Sequence, residues 1–258
     1  MTRLVASGAW ICHTGKVRKV NEDACLFGGI FSGASTSAPM KAAIDEERWI
    51  VALADGIGGH RAGAFASREV VESLASHQEY TPANVKRIIR ATHKKLQQIG
   101  DERPELQGTG STVVGLFSGR DGLFAFNVGD ARLYRQHAGR LKLITQDDSV
   151  EQLLMSEGLL KAHDGVRSSY MHALTQSIGG SADGHPVEPH FYPLSVARVG
   201  RFILCTDGLT DMLSTAEMEA LAVPQLKAAQ AVQSLFTATM EAGGRDNITI
   251  AVLDVEKV

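Results

Sequence analysis

The stretch STVVGLFSGRDGLFAFNVGDARLYRQHAGRLKLI, Ser111 to Ile144, decides the fold. Short apolar runs alternate in it with the turn pairs Asp121-Gly122, Gly129-Asp130 and Ala138-Gly139. Runs of that length broken at such intervals read as a β-meander. Outward from it, Trp49 to Ala54 is a buried strand ended by Asp55-Gly56, and Arg201 to Thr206 and Asn247 to Val255 are further strands. Helical spacing runs through Arg61 to Ala75. Thr81-Pro82 opens a second helix with Val85, Ile88, Ile89, Leu96 and Ile99 on one face. Ser149 to Glu157, Thr215 to Ala222 and Pro224 to Ala242 read as helices. Gly28 to Pro39 reads as a loop and 158–189 as irregular. Antiparallel strands covered by helices give an α+β class.

Composition narrows the function. Hydrophobic residues make up 44% of the 258, enough for a sizeable core. A net charge of −3 argues against a general nucleic-acid or membrane-surface binder, which needs a basic face. The basic run Lys86, Arg87, Arg90, Lys94 and Lys95 reads as the solvated face of the second helix. Cys12, Cys25 and Cys205 form no CxxC pair and read as reduced core thiols of a cytoplasmic protein. No apolar run approaches the ~20 residues that span a bilayer.

The informative residues are acids. Asp55, Asp130 and Asp207 follow apolar strands, and Asp246 precedes one. Carboxylates beside a core are costly unless paired with positive charge, and several together repel. Multivalent cations answer both problems, and an oxygen-only donor set suits Mg²⁺ or Mn²⁺ rather than Zn²⁺. Each Asp-Gly or Gly-Asp alone is an ordinary turn pair; four acids at strand ends are harder to read that way.

Six strings then resemble, in order, the metal-dependent protein phosphatases of the 2C type. They are His13 to Asp23 (with Arg18, Asn21, Glu22 and Asp23), Ala54-Asp55-Gly56-Ile57-Gly58-Gly59-His60, and Gly108 to Thr112. Asn127 to Arg132, Leu204 to Asp211 and Gly244 to Thr249 complete the set. The resemblance implies an α/β/β/α sandwich of two antiparallel β-sheets flanked by helices. It implies a single catalytic domain over 1–258 with a mobile flap at about 147–189. It also implies roles: Asp55 bridges two metals, Asp207 and Asp246 complete the first, and the Gly56 carbonyl serves the second. Glu22 and Asp23 act mostly through bound waters, Asp130 with Asp207 holds a third metal, and Arg18 clamps the substrate phosphate.

The implied activity is Mn²⁺- or Mg²⁺-dependent hydrolysis of phosphoserine and phosphothreonine on proteins, with two or three ions and direct attack by a metal-bridging water. The implied setting is a cytoplasmic monomer opposing a Hanks-type Ser/Thr kinase. Certain relatives act in secretion-system control, which no residue here addresses.

Departures from the family pattern are Asp148 where many members have His, Ala131 for Ser, and His172 for Asn. Ile57 stands where eukaryotic members carry a proposed general acid, which leaves that role open. His60 is nearby in sequence and is read as capping the following helix or contacting solvent rather than as that acid. Two other readings stay beside this one: a non-catalytic phosphoprotein-binding relative, which usually lacks a metal acid, and a two-metal phosphodiesterase or nuclease, which often uses His ligands.

Overall fold

The structure, a computed structural model, describes residues 3–59, 61–160, 169–180, 186–195 and 199–258. His60 and part of the expected flap lie outside them. The strands are β1 Leu4–His13, β2 Asp23–Phe27, β3 Ile30–Ser32, β4 Met40–Ile44, β5 Trp49–Ile57, β6 Gly110–Ser111, β7 Val113–Gly119, β8 Gly122–Val128, β9 Arg132–His137, β10 Arg140–Leu143, β11 His190–Leu194, β12 Arg201–Cys205 and β13 Ile248–Lys257. The helices are α1 Arg61–Ala75, α2 Pro82–Glu102, α3 Val150–Ser156, α4 Asp207–Thr210, α5 Thr215–Leu221 and α6 Ala228–Glu241.

Two sheets result. One runs β10-β9-β12-β13-β1-β4; the other runs β11-β8-β7-β5-β2-β3, with β6 added on β5. Every pairing among these strands is antiparallel. Trp10, Phe27, Leu53, Leu133, Phe202 and Leu204 fill the space between the sheets. Alternate side chains of β5, β7 and β8 face the other way and pack on Val70, Val71, Ile88 and Leu96 of α1 and α2. Ile203, Ile250 and Val252 do the same against Val232 and Leu235 of α6. Period-2 burial on both faces of the central strands explains why they read as continuous apolar runs. The α/β/β/α sandwich expected from the resemblance is the fold observed.

Several local readings change. The meander is two hairpins in different sheets: β7 pairs with β8, and β9 pairs with β10. The chain crosses between sheets at Gly129-Asp130, where Gly129 takes φ +92, a backbone region that favours glycine. Strand β5 carries on through Asp55 to Ile57, because Gly56 and Ile57 continue the ladder onto β6. Gly28 to Pro39 contains β3, which closes a hairpin on β2. The last helix starts at Ala228, not Pro224, behind Lys227, whose N–H donates to the Gln230 side chain.

The second helix begins as read: Thr81 accepts from the Asn84 N–H and Pro82 occupies its first turn. Its basic face is not wholly solvated. Lys86 and Arg90 both pair with Glu188, and Lys95 pairs with Glu69.

Candidate metal centre

One end of the sandwich collects the acids from both sheets. Asp23 opens β2 and stands directly across from Asp55 on β5. Thr112, just before β7, donates its N–H to the Asp55 carbonyl at 2.9 Å. Asp130 follows β8 at the crossing to the other sheet. In that sheet, Asp207 follows β12 and Asp246 precedes the neighbouring β13.

Hydrogen bonds stitch the sheets together here. Asp23 Oδ2 accepts from the Thr206 hydroxyl at 2.9 Å and the Thr249 hydroxyl at 2.7 Å. Asn247 Oδ1 accepts from the Glu22 N–H at 2.8 Å, and its amide donates to the Thr14 and Val20 carbonyls. The N-terminal loop is thereby bound to the last strand. The Lys16 N–H also donates to the Gly244 carbonyl at 2.7 Å.

The carboxylates perturb one another. Burial lifts the Asp55 carboxyl well above the ordinary range, reinforced by Asp23, Asp207, Asp130 and Asp246. Asp207 is pushed up to about 7 by burial and by Asp130, Asp211 and Asp246, while its hydrogen bond with Asp55 opposes the rise. Asp23 is pushed up to about 7, again chiefly by burial, against the pull of the two threonine hydroxyls. Asp130 is pushed up to about 6 by burial and then by Asp147, with Arg132 opposing.

Gly56 earns its place by close approach. A Cβ there would stand 2.1 Å from the Gly63 carbonyl oxygen and 2.7 Å from that of Glu22. The start of α1 therefore lies hard against the end of β5, beside Glu22. Arg18 sits at the rim: its Nη2 is 2.7 Å from Asp246 Oδ2, and the side chain is half exposed.

All seven expected positions, Glu22, Asp23, Asp55, Gly56, Asp130, Asp207 and Asp246, thus belong to one end of the molecule, with Arg18 at its edge. They are neighbours and not a closed cage: among the described residues, no three His, Cys, Asp or Glu side chains are gathered closely enough to hold an ion as they stand. The donor chemistry nonetheless fits hard divalent cations. The donors are oxygens, and Asp23 Oδ1 and Asp207 Oδ1 are buried without a hydrogen-bond partner among the described residues.

Sequence reasoning missed Asp211, whose charge acts on both Asp130 and Asp207. It lies four residues past Asp207, across the α4 turn, and that spacing was a usable signal. It also missed Thr206, Thr249 and Asn247, which fix the acids without being acids.

Of the departures, Ala131 is buried between the sheets, where a hydroxyl would need a partner. His172 is exposed. Burial pushes the Cys12 and Cys205 thiols up to about 12, which leaves them unsuited to thiolate chemistry.

Comparison with known proteins shows the family. The protein phosphatase 2C family model matches residues 39–249. The serine/threonine protein phosphatase PstP of Mycobacterium tuberculosis is 36% identical over 217 residues, 80% of this chain and 40% of that protein. The chain therefore spans well under half the length of that relative. The serine/threonine phosphatase stp of Listeria welshimeri is 27% identical over 93% of this chain and 92% of its own length. The solved catalytic domain of PstP, in complex with two manganese ions, superposes with a TM-score of 0.77 at 30% identity, covering 98% of this chain and 99% of that one. The family match runs from just before β4 into β13, taking in strands of both sheets and four of the five aspartates, and the chain belongs to the protein phosphatase 2C family.

Proposed function

We propose that this chain is a metal-dependent protein serine/threonine phosphatase, a single catalytic domain over 1–258 with a flap at about 147–189. The observation that carries the reading is the meeting of Asp23 and Asp55 from one sheet with Asp207 and Asp246 from the other. In this reading Asp55, Asp207 and Asp246, with the Gly56 carbonyl, Glu22, Asp23 and Asp130, hold two or three Mn²⁺ or Mg²⁺ ions. When bound, such cations make a coordinated water acidic enough to ionise near neutral pH and offset phosphate charge.

The chain's own residues do the rest. Thr206 and Thr249 hold one oxygen of Asp23 and leave the other without a partner among the described residues. Asn247 fixes the backbone of Glu22. Arg18, exposed at the rim, offers planar donors that can take two phosphate oxygens at once. The pairing with Asp246 keeps the guanidinium beside the acids.

We further propose that the substrates are phosphoproteins made by a Hanks-type kinase, and that the chain works as a cytoplasmic monomer. Three buried free cysteines support a reducing compartment. Among the described residues, no helix is long and apolar enough to cross a membrane. The test is turnover of a phosphothreonine peptide with Mn²⁺, against a phosphodiester and DNA. Hydrolysis of the peptide alone, lost on chelation and in Asp55→Ala, is the expected result. Full activity in Asp55→Ala, or turnover of the diesters instead, overturns it.

A further inference from the structure

Asp148 lies outside the acid cluster, and its side chain ties together several parts of its surroundings. Its Oδ2 accepts from the Gly129 N–H at 2.8 Å and from Gln176 Nε2 at 2.7 Å. Its Oδ1 lies 2.8 Å from His190 Nε2. Its main chain joins in: the Asp148 N–H donates to the Gly129 carbonyl at 3.0 Å, and the Asp148 carbonyl accepts from the Thr175 N–H at 2.9 Å. The side chain is only 10% exposed.

These partners belong to three separate elements. Gly129 is the corner at which the chain leaves one sheet for the other, and Asp130 is the next residue. Thr175 and Gln176 belong to the described part of the flap. His190 opens β11 at the sheet edge. Gln176 extends the link further, exchanging two hydrogen bonds with the Glu188 main chain. The Glu188 carboxylate in turn pairs with Lys86 and Arg90 of α2. The corner amide is buried and has no donor role in either sheet ladder, so a side-chain acceptor is what satisfies it.

We propose that Asp148 is a positioning residue that sets the Gly129–Asp130 corner and docks the flap onto it, so that delivery of the Asp130 carboxylate to the acid cluster depends on the flap anchor. This rests on Asp130 serving the cations. A loose corner leaves Asp130 to sample several directions, which weakens its share of cation binding before it changes the chemical step. The same carboxylate bonds both the corner and the flap, so movement of one is felt by the other.

The test uses the full chain with Asp148→Ala and Asp148→Asn. One readout is amide hydrogen exchange without added cation. The other is the Mn²⁺ concentration giving half-maximal turnover of a phosphothreonine peptide. In Asp148→Ala, the Gly129 amide should exchange at least tenfold faster while β5 and β13 keep their protection. Half-saturation should move to about tenfold higher Mn²⁺, with kcat at saturating Mn²⁺ within threefold of the parent. Asp148→Asn keeps one acceptor oxygen for two donors and should fall between, near threefold on both readouts; it carries the test if the alanine variant does not fold.

Unchanged Gly129 exchange, an unchanged Mn²⁺ requirement in both variants, or equal acceleration throughout both sheets overturns the proposal. These outcomes are distinct from failure of the phosphatase reading, which Asp55→Ala tests without touching Asp148.

Discussion

Asp23 and Asp55 face each other across β2 and β5, a buried acid and a half-buried one at one register position of an antiparallel pair. Side chains so placed have Cβ atoms about 5 Å apart, and like charges there oppose sheet formation. The fold tolerates the pair because the threonines of the opposite sheet hold Asp23, and because protonation or a cation can remove the repulsion.

Asp23→Asn therefore separates stability from cation binding. The amide keeps an acceptor for Thr206 and Thr249 and removes one buried charge. At pH 8 in chelator the variant should be more stable than the parent by about 1–2 kcal/mol, given that one pKa unit corresponds to about 1.4 kcal/mol. It should gain less from added Mn²⁺. Paired melts with and without Mn²⁺ measure both; a less stable variant in chelator contradicts the account.

The same carboxyls set a pH dependence. Asp23 and Asp207 are pushed up to about 7 in the fold, against about 3.9 for an unfolded aspartate. Between those values the folded chain binds more protons than the unfolded chain, so these groups favour folding at low pH. That contribution is lost as pH rises from about 4 through about 7. The stabilisation conferred by a saturating divalent cation should accordingly grow from pH 5.5 to pH 8. Calorimetric scans at both pH values check it, and a cation effect that shrinks over that range refutes it.

Arg18→Ala should act on substrate. The guanidinium reaches Asp246 from the rim and is half exposed, so its loss should raise KM for a phosphothreonine peptide about tenfold, roughly 1.4 kcal/mol. The Mn²⁺ concentration for half-maximal activity should hold within about twofold. A large loss of Mn²⁺ affinity with KM unchanged would assign Arg18 to the acids instead of the phosphate.

Gly56→Ala tests the close approach of β5 and α1. The added methyl meets main-chain oxygens on two sides, and backbone cannot rotate away as a side chain could. Overpacking of this kind costs about 1–3 kcal/mol, read as a lower urea midpoint, together with loss of activity. Gly59→Ala is the control: its Cβ meets nothing within 4 Å, although its positive φ of 77° adds some strain.

Strands such as β5, β12 and β13 were legible because apolar runs on both faces leave a strong signal. The acids at their ends were legible because a charge next to such a run is conspicuous. Others were not. β1 mixes small and polar residues with Trp10 and Ile11, and β4 is largely exposed, so neither carries a clean period. Gly129-Asp130 announces a turn, but no local feature says that the chain changes sheets there. Only packing of Leu133 and Phe202 against Phe27 and Leu53 decides it. The partners of Asp148 at 129, 176 and 190 are separated along the chain and meet only once the sheets exist. That is why its place among the departures could be seen and its role could not.

β13 lies between β1 and β12, and its register with β1 runs from Leu4 against Lys257 to His13 against Ile248. The stretch that brings Asp246 is thus synthesised after both β1 and β12, yet it forms the middle of its sheet. Until then β1 and β12 lack their shared neighbour, Glu22 lacks the Asn247 that fixes it, and Thr249 is absent from Asp23. A nascent chain stalled before residue 246 should consequently be inert toward phosphoproteins, however well its amino-terminal half has folded.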